Sequence, residues 1–184
     1  MTTIMDDLHQ EHLHLTRVFN ILEEQVNIMA NEGDPDLFLM VDIVNYVQHY
    51  PDLVHHPKED KVYDLFSSRS KEGADIVKQL QDEHKFLPTL TNEVHDMLVG
   101  AANSVLFVSR EELFSKIQHF LETERKHMNL EEDTLFPLIK TVLSEEDWDS
   151  LELSALMKAD PLFGNTVEAR YQNLYQSIKA QGAF

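Results

Sequence analysis

The chain has 184 residues, 42% of them hydrophobic, with five glycines, six prolines and no cysteine. Its formal net charge is -18, from 33 acidic against 15 basic residues, which argues against a nucleic-acid backbone or an anionic membrane surface as the main partner. Without cysteine, disulfides, thiolate zinc sites and cysteine-ligated iron–sulfur clusters are excluded, so any metal must be held by nitrogen and oxygen. The opening MTTIMDDLHQEHLHL has neither a basic region nor an apolar h-region, and no apolar run approaches the roughly 18 residues of a membrane span. A cytoplasmic protein is the expectation.

In chain order, Met5, Leu8, His12, Leu15, Phe19, Leu22, Val26 and Met29 form an unbroken stripe at spacings of three and four, the mark of an amphipathic helix. NEGDPD at 31–36 ends it, with Gly33 as the stop and Pro35 near the next start. A second helix is expected over about 35–66, with Ile43, Val47 and Tyr50 on its apolar side. Pro51 and Pro57 fall inside it, so a bend or restart is expected around 50–57. After a turn at 67–73, a third helix carries Val77, Leu80, His84, Leu87, Thr91, Val94 and Leu98, ending near Gly100 or Asn103. Ser109 with Glu112 predicts a capping box for the fourth. That helix presents Ile117, Phe120, Glu124, His127, Glu131, Leu135 and Leu138, a stripe apolar at both ends and polar in the middle. Beyond it, LSEEDWDSLELSALM predicts a short helix capped by Ser144, 159–164 a turn, and Val167, Tyr171, Leu174 and Ile178 the face of a last helix. The expected division is a bundle over 1–143 and a helical extension over 144–184 that packs on the bundle or on a partner.

Two His-x-x-x-Glu pairs, His55–Glu59 and His127–Glu131, lie on the second and fourth helices. A spacing of four puts both side chains on one helix face, and imidazole plus carboxylate suits a metal of intermediate hardness such as iron, manganese or zinc. His12 and His84 stand alone on the other two helices. In an up-down-up-down bundle, at about 1.5 Å per residue, all six fall within roughly one to two turns of one level. The second and fourth helices then lie diagonally, related by a pseudo-twofold axis. His56 with Asp60 rivals His55 with Glu59, and Glu132 rivals Glu131, which otherwise leaves Glu132 facing solvent. Glu124 is expected to accept the free N–H of a ligand histidine. Glu23 and His95 are a candidate internal pair, while His9, His14, His49 and His119 read as surface or boundary residues. Tyr50 and Tyr63 flank the second-helix motif as candidate donors to an oxygen of the site.

Glu11-His12-x-x-Leu15, His55-x-x-x-Glu59, Glu83-His84-x-x-Leu87 and His127-x-x-x-Glu131-Glu132-x-x-Leu135-Phe136-Pro137 together resemble the hemerythrin-like, HHE cation-binding family. That resemblance implies an all-α four-helix bundle around a non-haem di-iron centre. It implies that His12 and His55 hold one iron, His84 and His127 the other, and that Glu59 and Glu131 bridge them with an oxo or hydroxo group. Manganese or zinc would suit the same ligand types. Oxygen-carrying members have a second histidine one turn along the third helix, where this chain has Pro88, and a spacing of five rather than four before the last carboxylate. The resemblance is therefore closer to the bacterial four-His, two-Glu di-iron members, with two protein nitrogens per iron. The implied function is to bind or process dioxygen, nitric oxide or reactive oxygen and nitrogen species, including iron-centre repair under stress. The alternative is a non-enzymatic oxygen or nitric oxide sensor or carrier, or an iron-binding and storage protein. Whether the protein is an enzyme stays open, and the implied partners are a diatomic or peroxide ligand, a redox partner or a second copy of the chain.

Overall fold

Helix-end chemistry sets most of the boundaries in the computed structural model, which describes residues 4–105, 108–151 and 159–180. Helix α1 spans Ile4–Ala30. Glu32, not Gly33, takes the left-handed conformation after it (φ 58°). Gly33 is needed instead for close approach: its N–H donates to Ile28 O at 2.9 Å, and a Cβ there would lie 2.8 Å from Ile28 Cγ2. Helix α2 (Leu37–His49) starts where the Asp36 side chain accepts from Leu39 N. It passes through a π-helical turn, Pro51–His55, into α3 (His56–Arg69). The expected bend is therefore a widened turn inside one continuous arm, which runs on past 66 and shortens the following turn. Gly73, at φ 71°, precedes α4 (Ala74–Ala102).

The predicted Ser109–Glu112 capping box opens α5 (Arg110–Leu130), which continues through a second π-helical turn, Glu131–Leu135, into α6 (Phe136–Val142). These two composite arms, with α1 and α4, make an all-α, up-down-up-down four-helix bundle. Helix α1 packs on α2 and α5, and α4 on α2, α3 and α5, so the composite arms lie on one diagonal. The short helix predicted after 143 is present as α7 (Glu145–Ser150), capped by Ser144 and Asp147; its predicted continuation over 152–157 lies outside the described residues. The last helix starts later than expected, as a 3-10 turn at Ala169–Tyr171 leading into α8 (Gln172–Ala180). It buries Tyr171, Leu174 and Ile178 and packs against α1 and α2.

Two apolar clusters fill the bundle. One gathers Met5, Leu8, Val62, Phe66, Leu80 and Ile139 near the start of α1. The other runs from Leu15, Val54 and Leu121 to the opposite end at Met29 and Leu113. Between them each arm carries buried His or Glu residues, so one polar layer divides the core. No helix among the described residues is long and apolar enough to cross a membrane.

Candidate metal centre

The two π-helical turns share a cause. Pro57 and Pro137 each lack an N–H, and a proline ring crowds the carbonyl four residues earlier. In both arms the residue before the proline reaches back five positions instead of four: His56 N–H donates to Pro51 O, and Phe136 N–H donates to Glu131 O. Such single π turns occur often at functional sites. The wider turn lessens the rotation between successive residues, and here the neighbours His55 and His56 are both buried, at 1% and 4% exposure.

The six candidate residues converge. Nε2 of His12 lies 3.3 Å from Glu59 Oε1 and 3.3 Å from Glu131 Oε2. Nε2 of His55 is 3.2 Å from Glu59 Oε1, and Nε2 of His127 is 3.2 Å from Glu131 Oε1. Nε2 of His84 stands 3.5 Å from an oxygen of each glutamate and 3.1 Å from His127 Nε2. Both glutamates are fully buried. The His12 and His55 rings meet at 4.8 Å and 69°, and those of His84 and His127 at 4.8 Å and 68°. Two equivalent imidazole pairs thus face two shared carboxylates.

Each of these imidazoles turns its other nitrogen outward to an acid. Nδ1 of His12 meets Glu132 Oε1 at 2.8 Å, that of His55 Glu11 Oε2 at 2.6 Å, that of His84 Asp60 Oδ1 at 2.9 Å and that of His127 Glu83 Oε2 at 2.8 Å. A carboxylate on Nδ1 fixes the tautomer with its lone pair on Nε2, aims the ring and raises its basicity. Sequence reasoning gave this role to Glu124 and left Glu132 facing solvent, and both assignments change. Glu132 is only partly exposed and also meets His9 Nδ1 at 2.9 Å. Glu124 is buried with Oε1 unpartnered. A signal for the outer acids was present in the chain: Glu11, His12, His55, Glu59 and Asp60 each recur 72 residues later as Glu83, His84, His127, Glu131 and Glu132. Under that twofold relation each acid serves the histidine of a neighbouring arm.

His56 breaks the symmetry, since its counterpart is Met128. Its ring stacks on His84 at 4.6 Å and meets His127 edge-on at 5.5 Å, and a ligand atom from each of His56, Glu59, His84 and His127 lies within 4.8 Å of the others. A second such group is His12, His55 and Glu59. His55 and His56 are therefore not alternatives; the bundle takes in both, and three imidazoles rather than two gather on the His84 side. Asp60, His56's expected partner, serves His84 instead. Tyr63 donates to Glu131 Oε1 at 2.6 Å, whereas Tyr50 donates to Glu11 at 3.0 Å and does not reach the inner carboxylates. Glu23 and His95 do not pair: α1 and α4 lie across the bundle's other diagonal, Glu23 meets Arg125 at 2.9 Å, and His95 approaches Asp96 at 3.7 Å.

Electrostatics fits a cation. Burial alone would raise the Glu131 carboxyl, but His127, His12 and His84 outweigh it and hold it well below the usual range. Burial alone would lower His12 and His127, yet the surrounding carboxylates hold both well above the ordinary imidazole value, and His84 is raised to about 9. His56, by contrast, is pushed well below it by burial and then by His84 and His127, which favours the neutral, ligating form. Both oxygens of Glu59, Oε2 of Glu131 and Nε2 of His12 are buried and unpartnered by hydrogen bonds. Desolvated carboxylates of this kind are costly unless a cation or proton balances them. A donor set of imidazole nitrogen and carboxylate oxygen, with lone pairs converging, fits one or two metal ions of intermediate hardness.

Residues 3–139 match the family model described as the Hemerythrin HHE cation binding domain. No curated protein and no solved structure matches the chain at a significant level.

Proposed function

The chain belongs to the hemerythrin HHE cation-binding family, and from that membership we propose that its buried cluster holds two iron ions and binds or processes a small oxygen or nitrogen species. Dioxygen, nitric oxide and peroxide are the ligands that suit such a centre. The observation that carries this reading is the pair of matched imidazole pairs at 4.8 Å facing two shared carboxylates. His12 and His55 would hold one ion, His84 and His127 the other with His56 as a third nitrogen, and Glu59 and Glu131 would span both. Iron bound there supplies one-electron redox steps and coordination positions for the small ligand.

The protein's own residues do the rest. The four outer acids keep Nε2 of each imidazole aimed inward and electron-rich. Tyr63, through its 2.6 Å hydrogen bond, fixes one oxygen of Glu131 and limits how far that carboxylate can swing. Phe136 stacks on His12 at 5.4 Å, and the apolar clusters on either side exclude water from the layer. With His56 as a third nitrogen on the His84 side, the half at His12 and His55 would be the one left more open to a small ligand.

Metal content of protein purified without added metal, joined to its oxidised-state absorption spectrum, tests the reading. About two irons per chain with the absorption of a bridged ferric pair supports it; zinc or manganese alone, or no metal, overturns it. Catalytic consumption of nitric oxide or peroxide in the presence of a reductant then marks an enzyme, and a stoichiometric, reversible spectral change marks a sensor or carrier.

A further inference from the structure

Four of the five imidazoles at the centre have an acid on Nδ1 at 2.6–2.9 Å, each supplied by another arm. The fifth, His56, faces an acid of its own arm: its Nδ1 lies 3.5 Å from Asp52 Oδ1, four residues back. The π-helical turn at Pro51–His55 runs between the two. A turn that closes from i to i+5 does not bring a residue four back directly beneath its partner, which leaves the pair longer than a hydrogen bond. The side chains of His56 and Asp52 are only 4% and 5% exposed, and neither facing atom has a hydrogen-bond partner. Thr91, the hydroxyl beside Asp52, gives its proton to Leu87 O at 2.9 Å instead. A small rotation of either side chain therefore closes the pair and breaks no hydrogen bond at either facing atom. The internal repeat gives the same acid twice. Asp52 recurs 72 residues later as Glu124, which is also buried with one oxygen unpartnered. Four residues beyond Glu124 stands Met128, so this acid has an imidazole to serve in one half only.

We propose that Asp52 is the positioning residue of His56, accepting a hydrogen bond from Nδ1 so that the Nε2 lone pair serves the metal on the His84 side. The inference rests on the reading of His56 as a third nitrogen there, and deepens it. A neutral imidazole carries one ring proton, and the nitrogen without it is the one that can ligate. An acid on Nδ1 settles which nitrogen that is, fixes the ring's rotation and raises its basicity. His56 already stacks on His84 at 4.6 Å. Held at that rotation, it completes the group that it forms with Glu59, His84 and His127. The group at His12 and His55 gains no corresponding nitrogen, because Met128 stands at the matching position. Asp52 thus acts on one ion and not on the other, and it makes the His84 side the tighter of the two.

The test titrates cobalt(II) into the metal-free full chain against a competing chelator, for the wild type, Asp52→Ala, His56→Ala and the double variant. Cobalt takes the same nitrogen and oxygen donors and needs no redox step, so the result does not depend on which metal or reaction is native. Asp52→Ala should weaken one of the two binding steps by about 10–100-fold and leave the other unchanged. His56→Ala should weaken the same step, and adding Asp52→Ala to it should cost nothing further, because both changes remove one interaction. Asp52→Asn, of the same shape but a weaker acceptor, should weaken that step by less and carries the comparison if the alanine variant does not fold. In the zinc-loaded wild type, ring nitrogen NMR should show the His56 proton on Nδ1 and the metal on Nε2. Unchanged affinity in both Asp52 variants, equal loss at the two steps, or metal on Nδ1 overturns the inference alone. So does a loss that persists in the His56→Ala background, since Asp52 then acts structurally. Full affinity at both steps in His56→Ala removes the third nitrogen and the inference with it.

Discussion

Glu131 and Glu132 are consecutive, yet one faces the inner nitrogens of three histidines and the other the outer nitrogen of His12. Their replacements should therefore differ in kind. Glu131→Gln should drop the metal content from about two ions per chain toward one or none. Glu132→Gln should keep the stoichiometry and weaken affinity by about 10–100-fold, the usual cost of losing an outer partner. Metal analysis with a competing chelator reads both, and loss of stoichiometry in the Glu132 variant with retention in the Glu131 variant reverses the assignment. Uptake should also strengthen as pH rises toward 9. His84 is raised to about 9 because Asp60 and Glu131 outweigh its burial, so below that value a proton competes with the metal. Proton release on loading, measured by pH-stat, checks the sign.

Glu124 carries a different pH signature. Burial and then nearby Asp52 push its carboxyl up to about 8. A folded-state value above the unfolded one means that the native protein binds the extra proton between about pH 4.5 and 8. Stability is thus fully present below that window and is lost as pH rises through it. Glu124→Gln should flatten this fall in the metal-free protein. Its melting temperature should match wild type near pH 4 and exceed it by several degrees near pH 8.5, given about 2–4 °C per kcal/mol for a chain of this size. Equal pH slopes in calorimetry count against it.

At the scale of the element, the decisive feature is the π-helical turn at Pro51–His55. It amounts to one extra residue in an otherwise regular arm, and Leu53 within it is 62% exposed. Deleting Leu53 should close the turn to ordinary α geometry while leaving the faces of α2 and α3 in register. Helix content by circular dichroism should hold, because no core side chain is lost. His55 and His56 could then no longer both turn inward, and the affinity for the second ion should fall. Unchanged binding of two metals by the deletion variant would remove the turn's assigned purpose.

For the whole molecule, the polar layer between two apolar clusters makes stability depend on what fills it. Removing metal should lower the melting temperature by about 5–10 °C, since a ligand at a hundredfold excess over its dissociation constant adds about 2.7 kcal/mol. Re-addition should restore it. The C-terminal segment is tied down separately: Asp160 accepts from Tyr46 OH at 2.9 Å and from the backbone N–H groups of Leu162 and Phe163. Asp160→Ala leaves the buried Tyr46 hydroxyl unpaired and should cost about 1–3 kcal/mol, visible as a lower denaturant midpoint at unchanged metal content.

The sequence by itself determined the four arms, their polarity and the level at which His12, His55, Glu59, His84, His127 and Glu131 meet, because helical period and loop length are local properties that add along the chain. It also marked Pro51 and Pro57 as an interruption. What it left open were matters of rotation and of neighbours on other arms. Whether a proline bends a helix, restarts it or widens one turn depends on the packing that must be satisfied on both sides of it. Only the folded bundle decided that His55 and His56 are both buried at the centre. The outer acids were likewise beyond local reading, since Glu11 serves a histidine of the second arm and Glu132 one of the first. A carboxylate beside a candidate ligand faces solvent in an isolated helix; it becomes that ligand's neighbour's partner only when the arms are brought together.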